Sequence, residues 1–215
     1  ILEFEKLYRT NLFNSLSGFK SANLIGTISK EGKTNLAIFS SVIHVGTNPP
    51  ALGFLMRPVS VERHTYTNIK ETNHLTINHI KKEIFKQAHH TSARYEKDVS
   101  EFDACGLTPE YSEIIKAPYV KESNIKIGLK FVEEQEIKFN GTIFIVGEIV
   151  ELILPEEIIS KDGYVDIENA GTIAISGLDS YNETKRIARL YYAKPGVEPK
   201  ELWNEKFFYW RDISN

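Results

Sequence analysis

The chain has 215 residues, of which 41% are apolar and 26% charged, and a formal net charge of −3. This is the composition of an ordinary folded domain with a sizeable core, and the balance lacks the basic face of a nucleic-acid binder. No apolar run approaches the ~20 residues that span a bilayer, the first residues lack the basic and apolar regions of a signal peptide, and neither a membrane nor a nucleic acid is expected as a partner. Cys105 is the single cysteine, so an internal disulfide is impossible and a reducing, cytoplasmic setting follows.

Apolar residues Phe4, Leu7, Tyr8, Leu12, Phe13 and Leu16 make one helical stripe over residues 3–16, which ends at Gly18. Residues 22–29 read as a strand, Glu31-Gly32 as a tight hairpin, and 34–45 as a second strand broken midway by Ser40-Ser41. Asn48-Pro49-Pro50 forces a turn before a strand over 51–56. A loop and a short helix follow over 57–72, then a strand over 74–80. Hairpin-linked strands of this kind, four or five within about sixty residues, point to an antiparallel barrel or sandwich and not to a βαβ sheet.

The periodicity from 81 to 106 is helical and weak, with a short helix predicted after Ser100. A further short helical piece is expected between Pro109 and Pro118. Residues 125–139 and 142–154 form a long two-stranded arm turning at Asn140-Gly141. Glycines at 163, 171 and 177 mark loops, 183–189 reads as helical, and the end of the chain carries Trp203, Phe207, Phe208, Tyr209 and Trp210. No repeat or linker is visible, so 1–215 is read as one domain with 196–215 as an aromatic tail.

Three places carry polar residues suited to a ligand. In 57–69, Arg57, Ser60, Arg63 and Thr65 lie between a strand and a helix start. Helix-start N–H groups and guanidinium forks favour a phosphate; the alternative is a plain helix N-cap at Ser60 or Thr65 with solvated arginines. In 35–42, a bulge at Ser40-Ser41 would turn backbone groups toward a ligand, or the pair marks a simple barrel corner. The third place is the polar loop 90–94. Histidine spacing gives no metal set, no serine sits in a nucleophile elbow, and Cys105 reads as a packed small side chain. Strands ending in polar loops around an apolar floor suit a flat heterocycle carrying a phosphate.

Asn35-Leu36-Ala37-Ile38-Phe39-Ser40-Ser41, Asn48-Pro49-Pro50, Arg57-Pro58 and Glu62-Arg63-His64-Thr65-Tyr66-Thr67-Asn68-Ile69 resemble the flavin reductase-like, FMN-binding split β-barrel family. His90-Thr91-Ser92-Ala93-Arg94-Tyr95, Ser100-Glu101-Phe102, Gly106-Leu107-Thr108, Ala117-Pro118, Gly177-Leu178-Asp179-Ser180-Tyr181 and Arg189-Leu190-Tyr191-Tyr192-Ala193-Lys194-Pro195 fit the same family, so the likeness runs over residues 5–196. It implies a mainly β fold with peripheral helices, a split antiparallel barrel, and a homodimer with FMN at the interface. It implies that Asn35, Ala37, Ser40 and Ser41 lie along the isoalloxazine ring and that Arg57, Ser60, Arg63, His64 and Thr65 hold the phosphate. His90 and Ser92 would lie near the ring. Arg63 is the expected phosphate contact, with Arg57 paired instead to a carboxylate such as Glu62 or one across the dimer. The implied activity is an NAD(P)H-dependent flavin reductase, a flavin-dependent monooxygenase or a redox protein being the partner it serves; the alternative is a non-enzymatic, flavoredoxin-like electron carrier. In either case the flavin carries the chemistry, so no catalytic acid or base is expected.

Overall fold

One antiparallel sheet organises the molecule. The computed structural model describes residues 3–96 and 98–202. Its main strands are β2 (Asn23–Ile28), β3 (Thr34–Phe39), β4 (Ile43–Thr47), β5 (Pro50–Met56), β6 (His74–His79), β9 (Lys126–Ile137) and β10 (Thr142–Ile153), with β1 (Lys20–Ser21) just before them. They pair in the order β3-β2-β6-β9-β10-β5-β4, every ladder antiparallel. The chain runs directly from one edge strand, β3, to the other, β4, through residues 40–42. The sheet is therefore curled until its edges meet at a short covalent link with no ladder across it, which is a split barrel.

Alternation of side chains decides what fills it. Ile25, Ile77 and Ile127 stand opposite one another on β2, β6 and β9, and with Phe54, Met56, Leu75, Leu129 and Ile145 they make the interior core. Each such side chain contributes roughly 1.5–3 kcal/mol by leaving water. Leu24 and Leu36 point the other way. They pack with Ala88 of α3 (Phe85–His90) and Phe102 of α4 (Glu101–Cys105), so these two short helices cover the outer face of β3. The remaining helices are α1 (Lys6–Ser15) and α2 (His64–Thr72).

The hairpins expected at Glu31-Gly32 and Asn140-Gly141 are present, with Gly32 at φ +84° and Gly141 at φ +71°, a backbone region that suits glycine. The break at Ser40-Ser41 is a change of sheet edge, the barrel-corner alternative. Ser41 Oγ accepts from Leu55 N–H at 3.1 Å and donates to Leu55 O at 3.2 Å, continuing the pairing of β5 beyond the end of β4.

Two expectations fail. Residues 109–118 are not helical: Pro109–Glu110 (β7) pairs with Tyr119–Val120 (β8), and the course between them is irregular. Tertiary partners take the polar groups instead. Ser112 Oγ donates to Glu151 Oε2 at 2.6 Å, Lys116 N–H donates to His74 Nδ1 at 3.0 Å and Thr76 Oγ1 donates to Pro118 O at 2.7 Å; just beyond, Tyr119 Oη donates to Glu151 Oε2 at 2.6 Å and Val120 N–H to Asn78 Oδ1 at 3.0 Å. Residues 183–189 are also not helical. Arg186 pairs with Asp166 at 2.5 Å and Glu168 at 3.2 Å, and Arg189 pairs with Asp162 at 2.5 Å, so this stretch is a strap held to the 160–170 loop. Two further short strands, β11 (Ala174–Ser176) and β12 (Ser180–Asn182), complete a small sheet with β1. The aromatic residues from Trp203 onward lie outside the described residues.

Candidate functional site

The start of α2 meets the inner face of β3 through a buried polar cluster. Asn35 Nδ2 donates to Thr65 Oγ1 at 3.0 Å and to Thr27 Oγ1 at 3.4 Å, and Asn68 Nδ2 donates to the same Thr27 hydroxyl at 3.1 Å. This fixes the first turn of α2 against the edge strand. The helix N-cap is Arg63, without a side-chain cap bond, so neither Ser60 nor Thr65 is the cap. Thr65 turns inward to Asn35, while Ser60 and Arg57 are exposed on the loop before the helix. Arg63 is half-buried, and its Nε is buried with no hydrogen-bond partner.

Beside this cluster opens a pocket of about 280 Å³ between the β2–β3 turn, the first turns of α2 and the start of α4. Glu31, Glu62, Glu71 and Glu101 line it, with Lys33 and His64 as the basic groups. Glu101 is buried and accepts Leu36 N–H at 3.0 Å. Burial pushes its pKa up, while the Leu36 N–H and nearby His64 favour the charged form. Ser100 occupies the N-cap position of α4 without a side-chain cap bond; its hydroxyl instead meets that of Thr34 at 2.8 Å. The start of α4 thus seals one end of the β3 edge. Glu101 escaped sequence reasoning because its partner lies 65 residues away in the chain, and locally it looks like an ordinary first-turn carboxylate.

The expected ring contacts divide. Asn35 and Ala37 share the inner face of β3, while Leu36 and Ile38 pack on the outer side. Leu36 N–H points away from β2, so the alternation of an antiparallel ladder turns the Ile38 peptide to the same open edge. Ser40 is half-buried at the corner, and Ser41 is committed to Leu55. His90 and Ser92 come from the outer side, at and just beyond the end of α3, and are exposed. The His90 ring faces Tyr95, whose hydroxyl lies 3.3 Å from Nδ1 and 3.5 Å from Cys105 Sγ. Asn35 and Thr65 lie on the inner side of β3 and His90 and Ser92 on its outer side, so the strand separates the two groups. No cluster of three or more metal-binding side chains occurs among the described residues, nor is any helix there long and apolar enough to cross a membrane.

Comparison with known proteins agrees with this architecture. A candidate flavin reductase with a split barrel domain from Shewanella frigidimarina NCIMB 400 is 52% identical, with a TM-score of 0.86 over 89% of this chain and 96% of that one. Nitrilotriacetate monooxygenase component B from Bacillus cereus shares the fold at 21% identity and a TM-score of 0.78, over 88% and 96% of the two chains. Flavoredoxin of Desulfovibrio vulgaris (Miyazaki F) shares it at 22% identity and a TM-score of 0.69, over 83% and 92%. Residues 16–169 match the model of the flavin reductase like domain, and the chain therefore belongs to that family of split-barrel flavoproteins.

Proposed function

We propose that this protein is an FMN-binding oxidoreductase that moves hydride from NAD(P)H to flavin. The observation that supports it best is the buried Arg63 Nε without an acceptor, at the start of α2. A polar group held out of water without a partner is costly, and a bound anion would supply the partner. The residues fit the phosphate of FMN on this ground. Arg63 and the first N–H groups of α2 would hold it, with Arg57 and Ser60 contributing from the exposed loop and His64 from the pocket side. Thr65 acts through Asn35, setting the angle between α2 and β3. Asn35, Ala37 and the outward peptide of Ile38 would offer a flat edge for the isoalloxazine, Ser40 would lie at its far end, and Ser41 would hold the barrel corner in place through Leu55. His90 and Ser92 would approach from the other side of β3.

Bound flavin supplies the hydride chemistry. The chain's own task is to anchor the phosphate, orient the ring along β3 and leave one face open. In this reading the protein acts as a homodimer with flavin at the interface. Exposed apolar side chains on and after α1, among them Leu7, Leu16 and Phe19 at 65%, 69% and 70% exposure, support a self-association surface. Its reduced flavin would serve a monooxygenase or another redox protein.

Stopped-flow mixing of the FMN-loaded protein with NADH and with NADPH tests the reading. Rapid bleaching of the flavin by at least one of them is expected. Tight FMN binding with no reduction by either, but reduction by a protein donor, would move the protein to the electron-carrier class. No flavin binding at all would end both readings.

A further inference from the structure

Two apolar surfaces of this chain are left without a partner, and they have complementary shapes. The first is α1 with its flanks. Phe4, Leu7, Tyr8, Leu16 and Phe19 are 40–70% exposed, whereas the residues of α1 that reach partial burial include the polar Arg9, Thr10 and Asn14. The far end of the helix is tied down by polar bonds: Lys20 Nζ donates to Asn14 O at 3.1 Å and to Gly177 O at 2.8 Å. The helix is thus held in place with its apolar side turned outward, the reverse of an ordinary surface helix.

The second surface is the outer face of β4, β5 and the first half of β10. The outer face of β3 is covered by α3 and α4, and the far end of β10 by Ile115, Ala117 and Tyr119. Between these covers the ladder brings four apolar side chains to one side. Leu55 stands opposite Phe144, and Gly53 stands opposite both Ile43 and Val146. The Phe144 ring fills the space that a Cβ on Gly53 would need, so the face is flat. Ile43 and Leu55 are 54% and 41% exposed, and the exposed Glu133 and Gln135 of β9 border the patch. A flat apolar sheet face and an apolar helix stripe are natural packing partners.

Building on the homodimer reading above, we propose that α1 of each copy packs on the β4–β5–β10 face of the other, two identical contacts closing a twofold pair. The apolar side chains of α1 offer on the order of 500 Å², taking ~200 Å² for a fully exposed one. Giving one helix and receiving another brings each copy to roughly the 800 Å² of a standard interface. Charge agrees, since Lys6 is exposed beside Leu7 on the helix and Glu133 is exposed at the rim of the face. Position agrees as well. Ile43 follows directly on the corner residues 40–42, so a second copy on this face stands beside the β3 edge proposed for the flavin.

Analytical ultracentrifugation of the full FMN-loaded chain tests this with two charged variants. Leu7→Glu with Leu16→Glu charges the helix, and Ile43→Lys with Leu55→Lys charges the face; all four side chains are exposed in a single chain. Each variant alone should raise the dimer dissociation constant at least about a hundredfold, because it puts unpaired charges into both contacts of the pair. Mixed one to one, the two should recover a dimer: the acidic helix of one copy meets the basic face of the other, and the second contact is unaltered. The uncharged Ile43→Ala with Leu55→Ala should weaken the wild-type dimer about tenfold. A wild-type dimer that both face variants leave intact, or a mixture that stays monomeric, would overturn the proposal and leave the homodimer in place. A wild-type chain that sediments as a single copy would overturn the homodimer reading and the proposal with it.

Discussion

Arg63 is the side chain with most to gain from a bound anion, because its Nε is already buried and lacks an acceptor. Replacing it by alanine is expected to weaken FMN about ten- to a hundredfold, roughly 1.5–3 kcal/mol, while riboflavin, which lacks the phosphate, loses far less. Fluorescence titration with both flavins checks this; equal losses would place the phosphate elsewhere. His79 bears on stability instead. Burial pulls its pKa down from 6.5 to about 4, with Thr172 Oγ1 3.2 Å from Nδ1. The folded state therefore resists the proton that the unfolded chain accepts near pH 6.5. Stability should be full above that pH and fall by at most about 3 kcal/mol as pH drops to 4. Urea midpoints at pH 7.5 and 4.5 measure the slope, and His79→Gln should flatten it.

The ordering of β3 depends on what leans on it and on its neighbours. Its inner face holds α2 through Asn35 and Thr65, its edge meets the start of α4 through Leu36 and Thr34, and its outer face carries α3 and α4. Behind β2, β6 and β9 the 112–120 segment, which ends in β8, lies flat on the sheet because two glycines leave room. A Cβ on Gly26 would stand 2.2 Å from Pro118 O, and one on Gly128 would stand 2.1 Å from Tyr119 Oη. Gly128→Ala should displace Tyr119 from Glu151 and cost several kcal/mol, in the range of overpacked cores and broken buried bonds, roughly 1–3 kcal/mol for each. Thermal unfolding should show the loss. Tyr119→Phe, which removes the hydroxyl without the clash, should cost only the hydrogen-bond part of it.

The molecule as a whole closes its barrel but leaves apolar surface uncovered. α1 has no buried residue, and its Leu7 and Tyr8 are well exposed despite a good N-cap from Glu5 to the Leu7 and Tyr8 N–H groups. A helix of this length gains little from propensity alone, so a packing partner is the expected source of its stability. Light scattering should give twice the mass of one chain. Leu7→Glu together with Leu16→Glu should shift the protein toward monomer and weaken FMN with it, since the flavin is proposed to sit at the interface. A dimer of unchanged strength would move that interface away from α1.

Periodicity and turn chemistry sufficed for the barrel strands because those signals are local: alternating β-branched residues, Glu31-Gly32 and Asn140-Gly141 act within a few positions. The same locality misled the reading of 109–118, bracketed by two prolines, and of 183–189, where a local helical reading was outweighed by bonds to His74, Thr76 and Glu151 and by ion pairs with Asp162, Asp166 and Glu168. The resemblance of the chain's ordered motifs to a known family was enough to imply a flavin-type split barrel and to mark Arg63 and Asn35 as candidates. It did not show that Thr65 turns inward, that Ser41 serves the barrel corner, or that Glu101 meets Leu36 across 65 residues. Those outcomes depend on which strand edges the closed sheet brings beside which helix starts, and long-range backbone pairing of that kind leaves no periodic trace in the chain.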